Sequence, residues 1–173
     1  MRSDKYQALY QQMHNDGHYN GDYHSPRIWM MFEDFFVENN CKTVLDFGSG
    51  KGLHWEKYPW KCEYELTLYD PYWPPLSQLP PSEKKFDMIM SKDCLEHIPI
   101  DTLEECIQWM YRKARICIAH FLVTGPATKS LPNGENAHCT VMDVPEYVEL
   151  FKKHAKPGIE TILFTGPKEL IRF

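Results

Sequence analysis

Two spacings of apolar residues alternate along the chain, and they predict strands and helices in turn. Nearly continuous apolar runs are typical of parallel strands that are covered on both faces. Such runs occupy residues 42–47, 65–69, 86–90, 115–123 and 160–165, and a last run at 168–173 follows Gly166-Pro167. We therefore predict a strand for each run, with the last two strands joined as a hairpin.

Apolar residues three and four positions apart predict the helices. This spacing occurs in residues 3–13, 25–40, 101–113 and 143–154, with at most a short helix at 53–58. The third of these segments is predicted to start with a capping box formed by Thr102 and Glu105. The apolar residues predicted for the buried face of the second helix are Ile28, Met31, Phe32, Phe35 and Phe36.

Strands that alternate with helices predict an α/β fold. We expect a doubly wound, mostly parallel sheet with a C-terminal antiparallel hairpin and helices on both faces. A chain of 173 residues fits one domain. We assign residues 1–40 to an N-terminal helical cover and residues 41–173 to the core. Ligands of such sheets bind beyond the carboxyl ends of the strands.

Composition narrows the class of partner. Hydrophobic residues make up 43% of the chain and charged residues 25%, which indicates a globular protein. The formal net charge of -5 indicates no general attraction to nucleic acid or anionic membranes. No apolar run approaches a membrane span or a signal peptide. We therefore expect a cytoplasmic protein whose six cysteines are reduced thiols.

A glycine-rich turn follows the first predicted strand. Asp46 closes the apolar run, and Gly48, Gly50 and Gly52 follow at alternate positions. Glycine accepts positive φ and lets the backbone approach a ligand closely. Asp70 follows Gly50 by 20 positions, at the end of the second strand, where a carboxylate can accept ribose hydroxyls. The turn and the acid together predict a nucleoside site.

Two kinds of nucleoside cofactor fit this pattern. A dinucleotide site uses the spacing G-x-G-x-x-G and a helix whose N-terminus holds the pyrophosphate. Here the third glycine comes one residue early, Leu53 stands in its expected place, and Pro59 follows soon after. The spacing therefore favours a cofactor without phosphate over NAD.

Three stretches resemble, in order, the motifs of one known family. Residues 44–52 resemble the first motif of the class I S-adenosylmethionine-dependent methyltransferases, and Asp70 matches the ribose-binding acid of that family. Residues 86–90 and the following Asp93-Cys94-Leu95-Glu96-His97 resemble the fourth motif. The final hairpin fits the reversed last strand of the family. The resemblance implies a Rossmann-like methyltransferase fold with S-adenosylmethionine as cofactor.

Two further stretches bear on this resemblance. Residues 132–138 are similar to a segment of small, single-domain methyltransferase-like proteins from bacteria and their phages. The proline-rich stretch between Asp70 and Phe86 departs from the wider family, because the third strand and helix are shortened there. The contacts to adenine therefore have to come from elsewhere.

The resemblance also implies roles for single residues. Asp70 would accept the ribose hydroxyls, Pro71 and Tyr72 would form an apolar wall for adenine, and Asp93 would attract the positive sulfonium. The residues assigned to the cofactor in this way are Asp46, Gly48, Ser49, Gly50, Asp70, Pro71, Tyr72, Ser91 and Asp93.

Two histidines are candidates for catalysis. His138 and His97 could act as a general base if the methyl acceptor has to lose a proton, since imidazole titrates near neutral pH. Structural roles are open for both: His97 could cap a helix, and His138 could stabilise the loop at 124–142. Asn133, Glu135 and Asn136 in that loop could hold polar groups of an acceptor.

One other cluster of histidines suggests a metal at first sight. His14, His18 and His24 lie close in sequence, but Gly17 breaks the helical face, and no cysteine or acid completes a ligand set. We predict no metal site.

The expected function is therefore methyl transfer from S-adenosylmethionine to a small or exposed acceptor. Two alternatives stay open. The chain could bind S-adenosylmethionine without catalysis, as a subunit that supports another enzyme, or it could be an NAD-dependent oxidoreductase, which the glycine spacing disfavours.

Overall fold

The computed structural model describes residues 4–17, 26–166 and 169–173. Its strands form a single sheet in the order β2-β1-β3-β4-β5-β6, in which β6 alone is antiparallel to its neighbour. The predicted mostly parallel sheet with a C-terminal antiparallel pair is confirmed. The strands are β1 (Thr43–Phe47), β2 (Glu65–Tyr69), β3 (Phe86–Lys92), β4 (Ala114–Phe121), β5 (Glu160–Gly166) and β6 (Glu169–Arg172).

The α-helices of the described residues lie close to their predicted positions. None of them has the length and apolar composition needed to cross a bilayer. Pro167 in the predicted hairpin turn, and residues 18–25 of the predicted first loop and second helix start, lie outside the described residues. The helices are α1 (Asp4–Asn15), α2 (Pro26–Glu38), α3 (Leu53–Lys57), α4 (Ile100–Lys113) and α5 (Val144–His154).

Helices cover both faces of the sheet. Leu45 of β1 packs with Ile107 of α4 and Phe151 of α5 in one buried cluster. Its neighbour Val44 belongs to a second cluster, with Phe36 of α2. Successive side chains of a strand point to opposite faces, so these two clusters lie on the two sides of β1. The helix α1 lies apart from both, at the carboxyl edge of the sheet.

The buried face of α2 differs from the prediction. Ile28 and Met31 are only half-buried, whereas Trp29 and Glu33 are buried beside the phenylalanines. Glu33 can be buried because its carboxylate accepts hydrogen bonds from the Tyr58 hydroxyl and from the backbone N–H of Lys61. The helix is therefore rotated toward a polar contact that apolar spacing alone does not reveal.

The predicted capping box of α4 is wrong. The helix begins at Ile100, with Pro99 as its N-cap residue, and the Thr102 hydroxyl donates to the Pro99 carbonyl. Pro99 is already in an extended conformation that leads into a helix, so the start lies two positions before Thr102. A reciprocal capping box does form at α5, between Asp143 and Glu146.

The chain between β2 and β3 carries little regular structure, as the sequence predicts. A single 3-10 turn, Pro74–Leu76, interrupts it. The Leu76 carbonyl accepts a 3.1 Å hydrogen bond from the backbone N–H of Asp70, which ties this stretch to the end of β2. The shortened connection leaves β2 as an edge strand of the sheet, with Asp70 directly after its carboxyl end.

Candidate functional site

A cavity of about 470 Å³ lies at the carboxyl ends of the parallel strands. Its walls come from the glycine turn after β1, residues 70–72 after β2, residues 92–98 at the end of β3, and residues 123–129 after β4. The volume falls within the roughly 300–1,000 Å³ of small-molecule sites. Its position is the edge at which doubly wound sheets bind ligands.

Most of the predicted site residues meet in this cavity, and two do not. Asp46 and Ser91 are buried behind the wall and do not line it. The predicted residues that line the cavity are Gly48, Ser49, Gly50, Asp70, Pro71, Tyr72, Asp93, His97 and His138.

The glycines of the turn have a packing reason for their identity. A Cβ on Gly48, which has φ +81°, would lie 2.1 Å from Cys94 Sγ, and one on Gly52 would lie 2.5 Å from Leu68 Cδ1. The turn after β1 thus touches the loop after β3 directly at Gly48. Close approach inside the protein, besides any approach of a ligand, requires glycine at these positions.

The Asp70 carboxylate holds the floor of the cavity in place. Its Oδ2 accepts from the backbone N–H of Gly50 at 2.8 Å, and its Oδ1 accepts from Tyr72 at 2.8 Å and Trp73 at 3.1 Å. Burial raises its pKa, while His14 and these N–H groups oppose the rise. Since Oδ2 accepts only one of these bonds, it keeps the capacity to accept another from a ligand.

Asp46 acts on the cavity only through a neighbour. Its Oδ2 accepts from the Trp55 indole N–H at 2.7 Å and lies 2.9 Å from His54 Nε2. His54 lines the cavity, and Trp29 of α2 stacks on its ring with centroids 4.3 Å apart. Asp46 therefore orients the His54 imidazole from behind the cavity wall. The sequence did not predict that His54 and Trp29 line the cavity.

The charge of Asp93 is partly balanced inside the cavity. Asp93 has φ +48°, a left-handed conformation that turns the chain sharply after β3. Its carboxylate pairs with the ammonium of Lys92, which also lines the cavity. Ser91 lies one step deeper, where its carbonyl accepts from His120 Nδ1 at 3.0 Å. Of the two, Asp93 is the residue that a ligand can reach.

The predicted apolar wall at Tyr72 is completed by α1. The rings of Tyr72 and Tyr10 lie 4.7 Å apart, and the Tyr10 hydroxyl donates to the Ala137 carbonyl at 2.8 Å. Lys5 of the same helix pairs with Glu135 at 3.0 Å. The helix α1 and the loop at 124–142 are thus bonded directly to each other beside the cavity.

The two asparagine side chains of this loop bond within the loop. Asn136 Oδ1 accepts from the backbone N–H groups of Ala127 and His138, both at 2.9 Å. Asn133 accepts from Glu135 N–H at 3.1 Å. Neither asparagine nor Glu135 lines the cavity. The two asparagines therefore shape the loop and Glu135 bonds α1, while a role of these side chains toward an acceptor stays a prediction.

Glu96, His97 and His138 form a polar cluster on one wall. The rings of His97 and His138 are 4.9 Å apart, and His138 Nε2 lies 3.9 Å from Glu96 Oε1. Burial raises the pKa of Glu96 to about 8 and lowers the pKa of His97 to about 4. Both side chains are therefore largely uncharged near neutral pH. The 3-10 turn at 95–97 has Cys94 as its N-cap residue, which makes no side-chain cap hydrogen bond, and the His97 ring bonds the Ala137 carbonyl at 2.7 Å.

Several cavity residues were missed at the sequence level. Glu96 belongs to the segment at 93–97 that resembles the fourth motif, but the sequence pattern gives no sign that its side chain is buried and turned toward the cavity. His54 follows the glycine turn directly and could have been found as a polar residue at a strand end. Trp29 and Tyr10 come from helices distant in sequence, and no local pattern marks them.

Comparisons with models of known protein families, with curated proteins and with solved structures found no match. The interpretation of the cavity therefore rests on its own residues.

Proposed function

We propose that the chain is an S-adenosylmethionine-dependent methyltransferase that acts on a small or exposed acceptor. The observation that carries the proposal is convergence: the glycine turn, residues 70–72 and residues 92–98, which are far apart in sequence, border one cavity of about 470 Å³. These are the stretches whose residues resemble the motifs of that family.

The polar groups of the cavity suit the donor molecule. Oδ2 of Asp70 has room for a bond from a ribose hydroxyl. The Ser49 hydroxyl is buried in the wall and has no hydrogen-bond partner among the described residues, so a polar ligand group can satisfy it. Tyr72 supplies an aromatic surface for adenine, and Asp93 supplies a negative charge for the sulfonium.

Methyl transfer asks little covalent chemistry of the protein. A nucleophilic atom of the acceptor displaces the thioether in line, so the bond from carbon to sulfur breaks as the new bond to carbon forms. The protein has to align the two molecules and exclude water. A proton leaves only if the acceptor atom carries one.

His97 and His138 are placed to take that proton. Each ring uses Nδ1 to bond a backbone carbonyl, that of Ala137 at 2.7 Å for His97 and that of Gly125 at 2.6 Å for His138. A carbonyl only accepts, so each Nδ1 carries the hydrogen and each Nε2 is the basic nitrogen. The low pKa of His97, about 4, leaves its Nε2 unprotonated at neutral pH.

A dinucleotide is a poorer fit to the same turn. The helix α3 after the glycines has only five residues. Its first turn follows Gly52 in a left-handed conformation, with no side-chain cap. So short a helix offers little dipole for a pyrophosphate. NAD is therefore the matched negative ligand for a binding test.

Thermal melting in three ligands tests the cofactor. A ligand at 100 times its Kd stabilises the folded state by about 2.7 kcal/mol, which for a chain of this length is a rise in Tm of roughly 5–10 °C. We expect that rise with S-adenosylmethionine and S-adenosylhomocysteine and none with NAD. A rise with NAD alone would overturn the proposal.

The variant Asp70→Asn tests the ribose assignment. The amide removes the negative charge and one acceptor atom, so we expect the melting shift with S-adenosylhomocysteine to fall to near zero. Asp87→Asn is the matched control, because Asp87 also accepts two backbone N–H bonds but lies at the opposite edge of the sheet. An unchanged shift in Asp70→Asn would show the assignment to be wrong.

Turnover separates an enzyme from a binding protein. The wild type is incubated with S-adenosylmethionine and fractionated pools of small metabolites, and released S-adenosylhomocysteine is measured. We expect release that depends on one pool and that falls at least about tenfold in a His138→Gln variant if this residue takes the proton. A protein that shows the melting shift with every pool inactive would be a non-catalytic binder.

A further inference from the structure

The cluster of Glu96, His97 and His138 has the composition of a metal site. One ligand-type atom from each residue lies within 4.8 Å of those of the other two. All three residues line the same cavity. Sequence spacing does not reveal this cluster, because His138 is distant in sequence from Glu96 and His97.

The two imidazoles are oriented as metal ligands are. Nδ1 of His97 bonds the Ala137 carbonyl and Nδ1 of His138 bonds the Gly125 carbonyl. Ligating histidines usually donate their second ring nitrogen to a carbonyl or a carboxylate in this way, which fixes the tautomer and the ring plane. Nε2 of each ring is then the atom with the lone pair, and Nε2 of His138 faces Glu96.

The Glu96 carboxyl group is the second, independent sign of a ligand. The side chain is 1% exposed, and neither oxygen has a hydrogen-bond partner among the described residues. Leaving a buried carboxyl group without a hydrogen-bond partner destabilises the folded state. A bound cation would remove that cost, since buried charges in proteins are paired or coordinate metals.

We propose that Glu96, His97 and His138 bind one divalent transition-metal ion of the zinc class. Two imidazoles and one carboxylate are the protein ligands of many catalytic zinc sites, whose remaining position holds water or substrate. Tetrahedral bonds of about 2.1 Å place ligand atoms about 3.4 Å apart. Side-chain shifts of about 1 Å would therefore close the cluster on an ion.

The donor set also decides against other ions. Mg²⁺ and Ca²⁺ prefer oxygen ligands, whereas imidazole nitrogen suits zinc, cobalt and nickel. The open coordination position would face the cavity, because all three side chains line it. An oxygen atom of a cavity ligand would bind there and lose its proton more easily, and Nε2 of His97 and of His138 would then hold the ion instead of taking a proton from the acceptor. The inference does not depend on methyl transfer, since the cluster is complete without a cofactor.

Cobalt provides the test, because it replaces zinc and absorbs visible light. Protein stripped with a chelator is titrated with Co²⁺ at pH 7.5 without any nucleoside, and Zn²⁺ is then added. We expect visible absorption that saturates at one equivalent of Co²⁺ and is abolished by one equivalent of Zn²⁺. Absence of saturable absorption would overturn the inference and leave the melting tests with S-adenosylmethionine unaffected.

Two variants locate the ion. Glu96→Gln preserves the shape of the side chain and removes its charge, and His138→Gln removes the imidazole. We expect each to weaken Co²⁺ affinity at least about 100-fold. His154→Gln is the matched control, because His154 also lies beside a glutamate, with Nε2 2.9 Å from Glu104 Oε1, but outside the cavity.

Circular dichroism and Tm of the metal-free variants establish that each one is folded. Equal affinity in wild type and folded Glu96→Gln would contradict the assignment, and so would a loss in His154→Gln as large as that in His138→Gln. A normal Co²⁺ spectrum together with no melting shift from S-adenosylmethionine would keep the metal site and reject the proposed cofactor.

Discussion

Acidic side chains have opposite surroundings at the two ends of the parallel strands, which we call the amino edge and the carboxyl edge of the sheet. At the amino ends of the strands, Asp87 accepts bonds from the backbone N–H groups of Lys42 and Thr43 and pairs with Arg115 at 3.0 Å. Burial alone would raise its pKa, but these partners outweigh burial and lower it. At the carboxyl ends, Glu96 is buried without a hydrogen-bond partner for its carboxyl group among the described residues, and burial raises its pKa to about 8.

The difference supports the proposal that a ligand binds at the carboxyl ends of the strands, whereas acidic groups at the amino ends are satisfied within the protein. Asp87 accepts hydrogen bonds from the backbone N–H groups before β1 and at its start, and its charge is balanced by Arg115. Asp70 has the capacity to accept a further hydrogen bond, and the Glu96 carboxyl group has no hydrogen-bond partner among the described residues. Unsatisfied buried polar groups destabilise a fold, and Ser49 and Glu96 carry such groups in the wall of the cavity, so a ligand bound there would supply the missing hydrogen bonds.

The largest expected effect is on the glycine turn at the carboxyl edge. Gly48→Ala forces a Cβ into Cys94 Sγ at 2.1 Å and also strains a residue with φ +81°. We expect the free energy of unfolding to fall by about 3 kcal/mol or more, from overpacking and backbone strain together. Urea denaturation followed by circular dichroism measures the loss.

Gly158→Ala is the control for backbone strain. Gly158 has φ +80°, but a Cβ there meets nothing within 4 Å, and the residue precedes β5 at the amino edge. We expect a loss of about 1–2 kcal/mol, from the conformation alone. Equal losses in the two variants would mean that the turn at Gly48 does not pack against the β3 loop as described.

The next effect is a loss of stability in mildly alkaline solution. Glu96 has a folded pKa of about 8 against an ordinary value of 4.5, so the unfolded chain loses this proton at lower pH than the folded chain. The folded state binds more protons between these values, and stability falls as pH rises. We expect metal-free protein to lose about 2 kcal/mol between pH 6.5 and pH 8.

Glu96→Gln should remove that alkaline slope. His97 adds no loss in this range, because its folded pKa of about 4 lies below its ordinary value of 6.5, and its own effect is a small rise in stability as the unfolded imidazole loses its proton. Charged and titratable groups that face Glu96 include Lys92, Asp93, His138 and Tyr147. Unfolding free energies of both proteins, measured in urea with a chelator from pH 6.5 to 8, give the comparison. A slope that persists in the variant would assign the titration to another group.

The smallest effect is expected at the amino edge. Asp87→Asn keeps one oxygen acceptor and loses the charge that faces Arg115, so we expect a cost of about 1 kcal/mol at pH 7. The lowered pKa of Asp87 means that this stabilisation exists above its unfolded value of 3.8 and is lost as pH falls through the folded pKa. The variant and the wild type should therefore converge in stability at pH values below the folded pKa of Asp87. A constant difference at all pH values would contradict the charge assignment.

Much of the fold was readable from local patterns, because continuous apolar runs have few alternatives to a parallel strand. The range of β2 was predicted correctly from one such run, residues 65–69. The start of α4 was not, because two helix-start patterns lie within a few residues and the extended Pro99 prevails over Thr102. The assignment of one domain stays a prediction.

The sequence predicted residues of the candidate site only where a polar side chain directly follows a predicted strand. Asp70 and Asp93 were predicted there and line the cavity. His54 and Glu96 depend on which way a side chain turns and what buries it, and Trp29 reaches the cavity from a helix far away in sequence. These features arise from tertiary packing, which no local spacing encodes.

The most direct test of the account compares the two edges in one spectrum. Uniformly ¹⁵N-labelled protein is titrated with S-adenosylhomocysteine, and the amide resonances are followed. We predict saturable shifts for Gly50 and Asp93, which line the cavity, and none for Lys42 and Thr43, whose N–H groups are bonded to Asp87. Shifts confined to the amino edge, or no shift at all, would contradict the central claim that the carboxyl edge binds the cofactor.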